Sequence, residues 1–126
     1  MLPKAVRMRS SGEFRDAVRG GVRTGRRTLV VHATSTDDRD VKVGLVVSKA
    51  VGNAVVRNRV KRRLRHLCAD QLSATPPGTR IVIRALPGAA AHPDELGSDL
   101  SRAWVKAMAR VRHRDLERCS EGRAGT

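Results

Sequence analysis

Between Arg57 and Arg65 the chain reads RNRVKRRLR, six positive charges in nine residues with no acid among them. Guanidinium and ammonium groups at this density break no bonds. Their chemistry is the binding of phosphate, by Coulomb attraction and by forked hydrogen bonds. On a helix, each like-charge pair four residues apart costs roughly 0.2–0.5 kcal/mol, so several pairs cost about 1–2 kcal/mol. A polyanion would supply the missing negative charge; a solvated basic face is the plainer reading. Arg57, Lys61 and Arg65 are four apart and read as one exposed ridge, with Asn58, Arg59, Arg62 and Arg63 beside it. Just upstream, Asn53 can either cap the helix or, like Asn58, donate its amide to a nucleic acid.

Residue types that cut bonds do not assemble in the same way. His32, His66, His92 and His113 show no pairing with an acid. Each reads as a surface or packing residue rather than a general base. Asp37, Asp38 and Asp40 fall together in a polar turn, where solvation explains them. A two-metal nuclease would need converging carboxylates. Cys68 and Cys119 are far apart and form no CxxC, which predicts neither a disulfide framework nor a zinc site. Cys68 falls on an apolar face and reads as core. No catalytic residue and no metal ligand is assigned.

The whole chain has the same bias. Its net charge is +14, from 26 Lys and Arg against 12 Asp and Glu in 126 residues. Such charge favours a phosphate backbone through counterion release. Phe14 and Trp104 are the only aromatics, so any grip on a single strand must lean on charge and shape more than stacking. No apolar run is long enough to span a bilayer. A basic start with no apolar stretch behind it predicts no secretory signal. Reduced thiols and a cytoplasmic location are the expectation.

Positioning this charge requires a small set of elements. A basic arm (1–9) precedes a short helix begun by a Ser10–Glu13 capping box and ended by Gly20-Gly21. Phe14, Ala17 and Val18 share one face of that helix. Thr28–Thr34 and Val41–Ser48 read as strands, joined as a hairpin across the turn Ser35–Asp40. Val46 makes the second strand apolar on both faces, as in a central strand. A helix follows from Ala54 to about Leu72, its stripe Val56, Val60, Leu64, Leu67, Cys68 and Leu72 matching a 3.6-residue period. Arg80–Ala85 is a further strand, and Leu86–Ala91 a loop. A last helix starts near Pro93 and buries Leu96, Leu100, Ala103, Trp104, Ala107, Met108 and Val111. The charged tail 112–126 lacks a stripe and reads as disordered. The order helix, strand, strand, helix, strand, helix leaves room for one more short strand. It predicts one α/β domain over residues 10–111, with helices covering one face of a small sheet. A strand before the basic helix argues against a helix-turn-helix.

Residues Val43–Arg65, VGLVVSKAVGNAVVRNRVKRRLR, resemble the signature region of the bacterial ribonuclease P protein component. The positions carrying the resemblance are Ser48 and Lys49; Gly52, Asn53 and Ala54; then Arg57, Asn58, Lys61, Arg62 and Arg65. Leu2-Pro3 with the basic arm, Phe14, the RIVIRA strand and Asp94-Glu95-Leu96 also fit, over roughly residues 2–111. The resemblance implies an α+β two-layer sandwich like the second domain of ribosomal protein S5, with a mainly four-stranded sheet and a left-handed parallel crossover. It implies a subunit that assists a catalytic RNA in removing the 5′ leader of precursor tRNA. The active site and its Mg2+ ions would belong to that RNA. Asn53, Arg57, Asn58, Arg59, Lys61, Arg62 and Arg65 would face the catalytic RNA, and Phe14, Ser48 and Lys49 the leader. No membrane and no obligate protein partner is implied. The chain departs from the family at Val18, Leu29 and His32, which stand where aromatics are common. Phe14 also has a plain reading, as an anchor of the first helix. A ribosomal-type structural RNA-binding protein and a DNA-binding module are the competing readings.

Overall fold

The computed structural model describes residues 6–8 and 11–124. Helix α1 spans Ser11–Gly20; the Ser10 cap and the first residues of the basic arm lie outside the described residues. Gly21 follows because a Cβ there would collide with the carbonyls of Ala17 and Ala33. Then come β1 (Val22–Gly25), β2 (Leu29–Ser35), β3 (Lys42–Val46), α2 (Ala54–Gln71), β4 (Thr79–Ala85), the single turn α3 (Gly88–Ala91) and α4 (Leu96–Ala124). The extra short strand is β1, and α2 ends within a residue of where the apolar stripe predicts.

The four strands lie in the order β1-β2-β4-β3, with β3 and β4 parallel and the other pairs antiparallel. The hairpin expected between β2 and β3 is therefore wrong: β4 lies between them. Two features explain it. β2 turns tightly into β1 instead, with Arg26 N–H bonded to the Leu29 carbonyl at 2.8 Å. The segment after β2 is tied to β4, because Arg80 donates to the Asp38 carboxylate at 2.6 Å and to the Asp40 carbonyl. The loop thus crosses the end of β4 rather than folding β3 back on β2. β3 is correspondingly an edge strand, not a central one. Its outer edge meets the basic arm, where Arg7 bridges Val43 and Met8 N–H bonds to the Val43 carbonyl at 2.9 Å.

Strand alternation sends Leu29, Val31, Ala33, Val43, Ile81 and Ile83 to one face. There they pack with Val60, Leu64 and Cys68 of α2 and with Leu96, Leu100 and Trp104 of α4. Trp104 is 2% exposed and donates its indole N–H to Thr75 Oγ1 at 3.0 Å. Cys68 is buried in this core, and burial pushes its thiol up to about 12. The opposite face is covered more thinly, by Met8, Phe14 and Ala17 over Val82 and Val46.

Of the tail 112–126 expected to be disordered, the described residues continue α4 as helix through Ala124. Apolar periodicity fades after Val111, but polar bonds take over. Arg110 and Arg114 donate to the carbonyls of Arg23 and Gly20, and Ser35 donates to Asp115 at 2.8 Å.

One buried carboxylate ties α4 to the β1–β2 turn. Asp99 accepts from Thr28 N–H at 3.1 Å and Thr28 Oγ1–H at 2.7 Å, with Arg26 at 3.6 Å. Burial would raise its pKa, but the two Thr28 bonds and Arg26 outweigh it and hold the carboxyl below its ordinary value. Its contribution to stability is thus full above the unfolded carboxyl pKa, near 4, and is lost as pH falls through the lower folded value. Asp99→Ala should cost about 1–3 kcal/mol in urea unfolding at pH 7, because Thr28 is left buried and unpaired. The deficit should shrink below about pH 4.

Candidate nucleic-acid interface

Asn53 opens α2 as its cap, its side-chain oxygen accepting Val56 N–H at 3.0 Å. The oxygen is therefore committed to the helix, and the exposed amide nitrogen is what remains for a partner. Successive helical residues rotate by about 100°. Arg57, Lys61 and Arg65 each follow a stripe residue by one position, so they flank the buried stripe rather than oppose it. All three are half-buried, which corrects the expectation of an exposed ridge, and Arg57 Nε is buried without a hydrogen-bond partner. The outward face carries Asn58, Arg59, Arg62, Arg63 and His66, all exposed. None of these cations is in an ion pair among the described residues; ion pairs are formed instead by Arg26, Arg27 and Arg80. Asp70, at the far end, is the only acid in α2. The helix thus carries two basic rows with different surroundings.

The flanking row leads to Phe14. Lys61 and Arg65 line a groove of about 120 Å³ at the β3 edge together with Arg7, Met8, Phe14 and Gly44. Gly44 is required there: a Cβ would come within 2.6 Å of Phe14 Cζ and 3.0 Å of Met8 Sδ. Phe14 is half-buried. It anchors α1 to the sheet and also forms a wall of a second cavity, of about 270 Å³, with Arg15, Val18, His32, Val46, Val82 and Arg84. Phe14 is thus an anchor of α1 whose ring also borders open space. Ser48 and Lys49 are exposed in the turn between β3 and α2 and line neither cavity. Their backbone carbonyls shape that turn, accepting from Val51 N–H at 3.1 Å and Gly52 N–H at 3.2 Å.

The sequence reading missed Arg84 and Arg15 as parts of this surface. For Arg84 the signal was present. In Arg80–Ala85, Ile81 and Ile83 face the core, so period two puts Val82 and Arg84 on the α1 side. Arg84 lies between Val30 of β2 and Val46 of β3, and Val82 between His32 and Gly44. An exposed cation thus stands on an apolar strip. His32 is 8% exposed, and its Nδ1 is buried without a partner. Its burial, with Arg23 and Arg84 nearby, lowers its pKa. At neutral pH it is an uncharged ring in a cationic cleft.

No three His, Cys, Asp or Glu side chains converge as metal ligands among the described residues. Asp38 is paired with Arg80, and Asp37 and Asp40 are exposed around it. This donor set does not fit a protein-held Mg2+ site. No helix of the described residues is long and apolar enough to cross a membrane.

The geometry is a two-layer α/β body with a doubly basic helix beside a cationic, aromatic-edged cleft. Known proteins share both its sequence and its shape. The family model for ribonuclease P matches residues 2–110. The ribonuclease P protein component of a Nocardioides species is 49% identical over 115 residues, spanning 88% of this chain and 98% of that protein. That of Streptomyces bikiniensis is 53% identical over 118 residues, spanning 86% and 96%. Among solved structures, the Staphylococcus aureus RNase P protein superposes with a TM-score of 0.75 at 25% identity, covering 83% of this chain and 99% of that one. The Thermotoga maritima RNase P protein shares the fold, with a TM-score of 0.67 at 20% identity over 82% and 96%. A basic helix, an α1 cleft and a match along nearly the whole chain lead to one conclusion: the chain belongs to the ribonuclease P protein family.

Proposed function

We propose that the two rows of α2 divide the work of this subunit between its two RNAs. The outward row, Asn58, Arg59, Arg62 and Arg63, docks on the catalytic RNA. Lys61 and Arg65, on the flanking row, also touch the catalytic RNA and continue into the cleft at Phe14, and this side holds the 5′ leader of precursor tRNA. Ribonuclease P is an endoribonuclease whose RNA carries the catalysis, and the protein supplies binding. Cations placed between two polyanions lower their mutual repulsion, which lowers the concentration of Mg2+ needed to bring them together. The Mg2+ ions of the reaction are held by RNA, since the described residues offer no fitting carboxylate set. Asn53 and Arg57 stand at the start of α2, where the amide of one and the guanidinium of the other meet the catalytic RNA. Ser48 and Lys49 reach the leader from the rim of the cleft rather than its floor. The site of action is the cytoplasm.

The observation that carries this reading is the continuity of Lys61 and Arg65 with Phe14 in one groove. A contact to the leader explains preference for precursor over product, because the product no longer has a leader. Phe14→Ala tests it. One base–aromatic stack is worth about 1–3 kcal/mol, or roughly fivefold to 150-fold in affinity. Precursor binding to the holoenzyme, measured in Ca2+ to slow cleavage, should weaken by that factor, while mature tRNA binding stays unchanged. Equal small losses for both ligands, in a variant that folds normally, would show Phe14 to be an anchor of α1 alone.

A further inference from the structure

We propose that a leader phosphate seats against Arg84 and Arg15 in the α1 cavity and takes a hydrogen bond from His32, which gains a proton as the leader binds. This rests on the reading of that cavity as the leader cleft. It adds a proton-linked contact at a position where a ring of another kind would only stack.

The geometry supports it in three ways. His32 is more than nine-tenths buried, yet lines the cavity, and its Nδ1 has no partner in the described structure. A buried, unpaired ring nitrogen is costly, and core histidines normally satisfy it. Its charged surroundings are cationic from each element that packs on this side. Arg23 of β1 is directly across in register, Arg84 is on β4, and Arg15 of α1 shares the cavity wall. No described acid lines the cavity, and α4 packs on the other face of β2. The cavity, about 270 Å³, has room for a phosphate and part of its nucleotide.

The electrostatics then give the direction. In the free protein, burial, Arg23 and Arg84 all disfavour the imidazolium. A phosphate between the arginines reverses that field and stabilises the charged ring. The bound complex therefore holds the proton at a pH where the free protein has lost it. Leader binding must then strengthen as pH falls through the window between the two values. One linked proton gives at most about tenfold per pH unit.

The test uses the reconstituted holoenzyme in Ca2+. Affinities for precursor tRNA with a short leader and for mature tRNA are measured between pH 7.5 and 5.5. The ratio should rise roughly threefold to tenfold over this range. In His32→Gln, which keeps a hydrogen-bonding group but cannot titrate, the ratio should be flat. A set of leaders, each with one phosphate replaced by a neutral methylphosphonate, should show one position at which the pH dependence vanishes. A ratio flat in the natural protein, or a slope that survives His32→Gln, would overturn the inference while leaving a leader cleft in place. A slope that depends on His32 but on no leader phosphate would overturn the phosphate contact. Absence of any precursor preference at every pH would instead overturn the leader reading itself.

Discussion

Replacing both Lys61 and Arg62 by Glu should lower affinity for the catalytic RNA by about a hundredfold at moderate salt. Two phosphate contacts disappear and two repulsions take their place. Each phosphate contact contributes about 0.7–0.9 to the slope of log affinity against log salt, so that slope should shrink by roughly 1.5–2. The fold should survive, because the buried residues of α2 are Val60, Leu64 and Cys68. The free protein should even gain a few tenths of a kcal/mol per relieved pair, since Lys61 stands four residues from both Arg57 and Arg65. The single variants should separate the two rows. Arg62 is exposed, whereas Lys61 lines the Phe14 groove. Arg62→Glu should weaken the catalytic RNA and leave precursor preference alone; Lys61→Glu should reduce that preference as well. Thermal melting by circular dichroism checks the fold, and salt titrations of RNA binding check the rest. Unchanged affinity and slope in a folded double variant would mean that the basic run is only a solvated face.

The division into two rows also shows what was legible in the sequence. The basic helix was, because a 3.6-residue stripe and an Asn cap are local signals, and both ends of α2 fell where they indicate. Its wheel was misjudged at one step. Residues adjacent to the stripe rotate only part of the way out, so Arg57, Lys61 and Arg65 face the groove's side rather than open solvent. Sheet order was not legible. Pairing of β2 with β4 brings together residues 44 to 56 positions apart, from Ser35 with Thr79 to Leu29 with Ala85, and no local pattern favours that over a hairpin. The Arg80–Asp38 bond that steers the connecting loop is equally long-range. The helix beyond Val111 was missed because the atoms that hold it are backbone carbonyls of Gly20 and Arg23, which leave no periodicity in α4. In the cleft, Phe14 stood out by its chemistry. Arg84 and His32 acquire meaning only when strand alternation is combined with the true neighbours of β4.

Cleavage is where the largest effect is expected. On the proposed reading the protein offers phosphate contacts and a leader cleft, and no three metal-ligating side chains converge among the described residues. Its contribution must therefore vanish without RNA and be greatest where Mg2+ is scarce, since there its cations do work that Mg2+ would otherwise do. The direct measurement is cleavage of precursor tRNA at low Mg2+ in three mixtures: catalytic RNA alone, RNA-free protein alone, and both together. The expected result is strong, site-specific leader removal only in the third, with the advantage over RNA alone fading as Mg2+ is raised. Site-specific cleavage by protein that has survived rigorous RNA removal, or no gain on adding the protein to the RNA, would contradict the account.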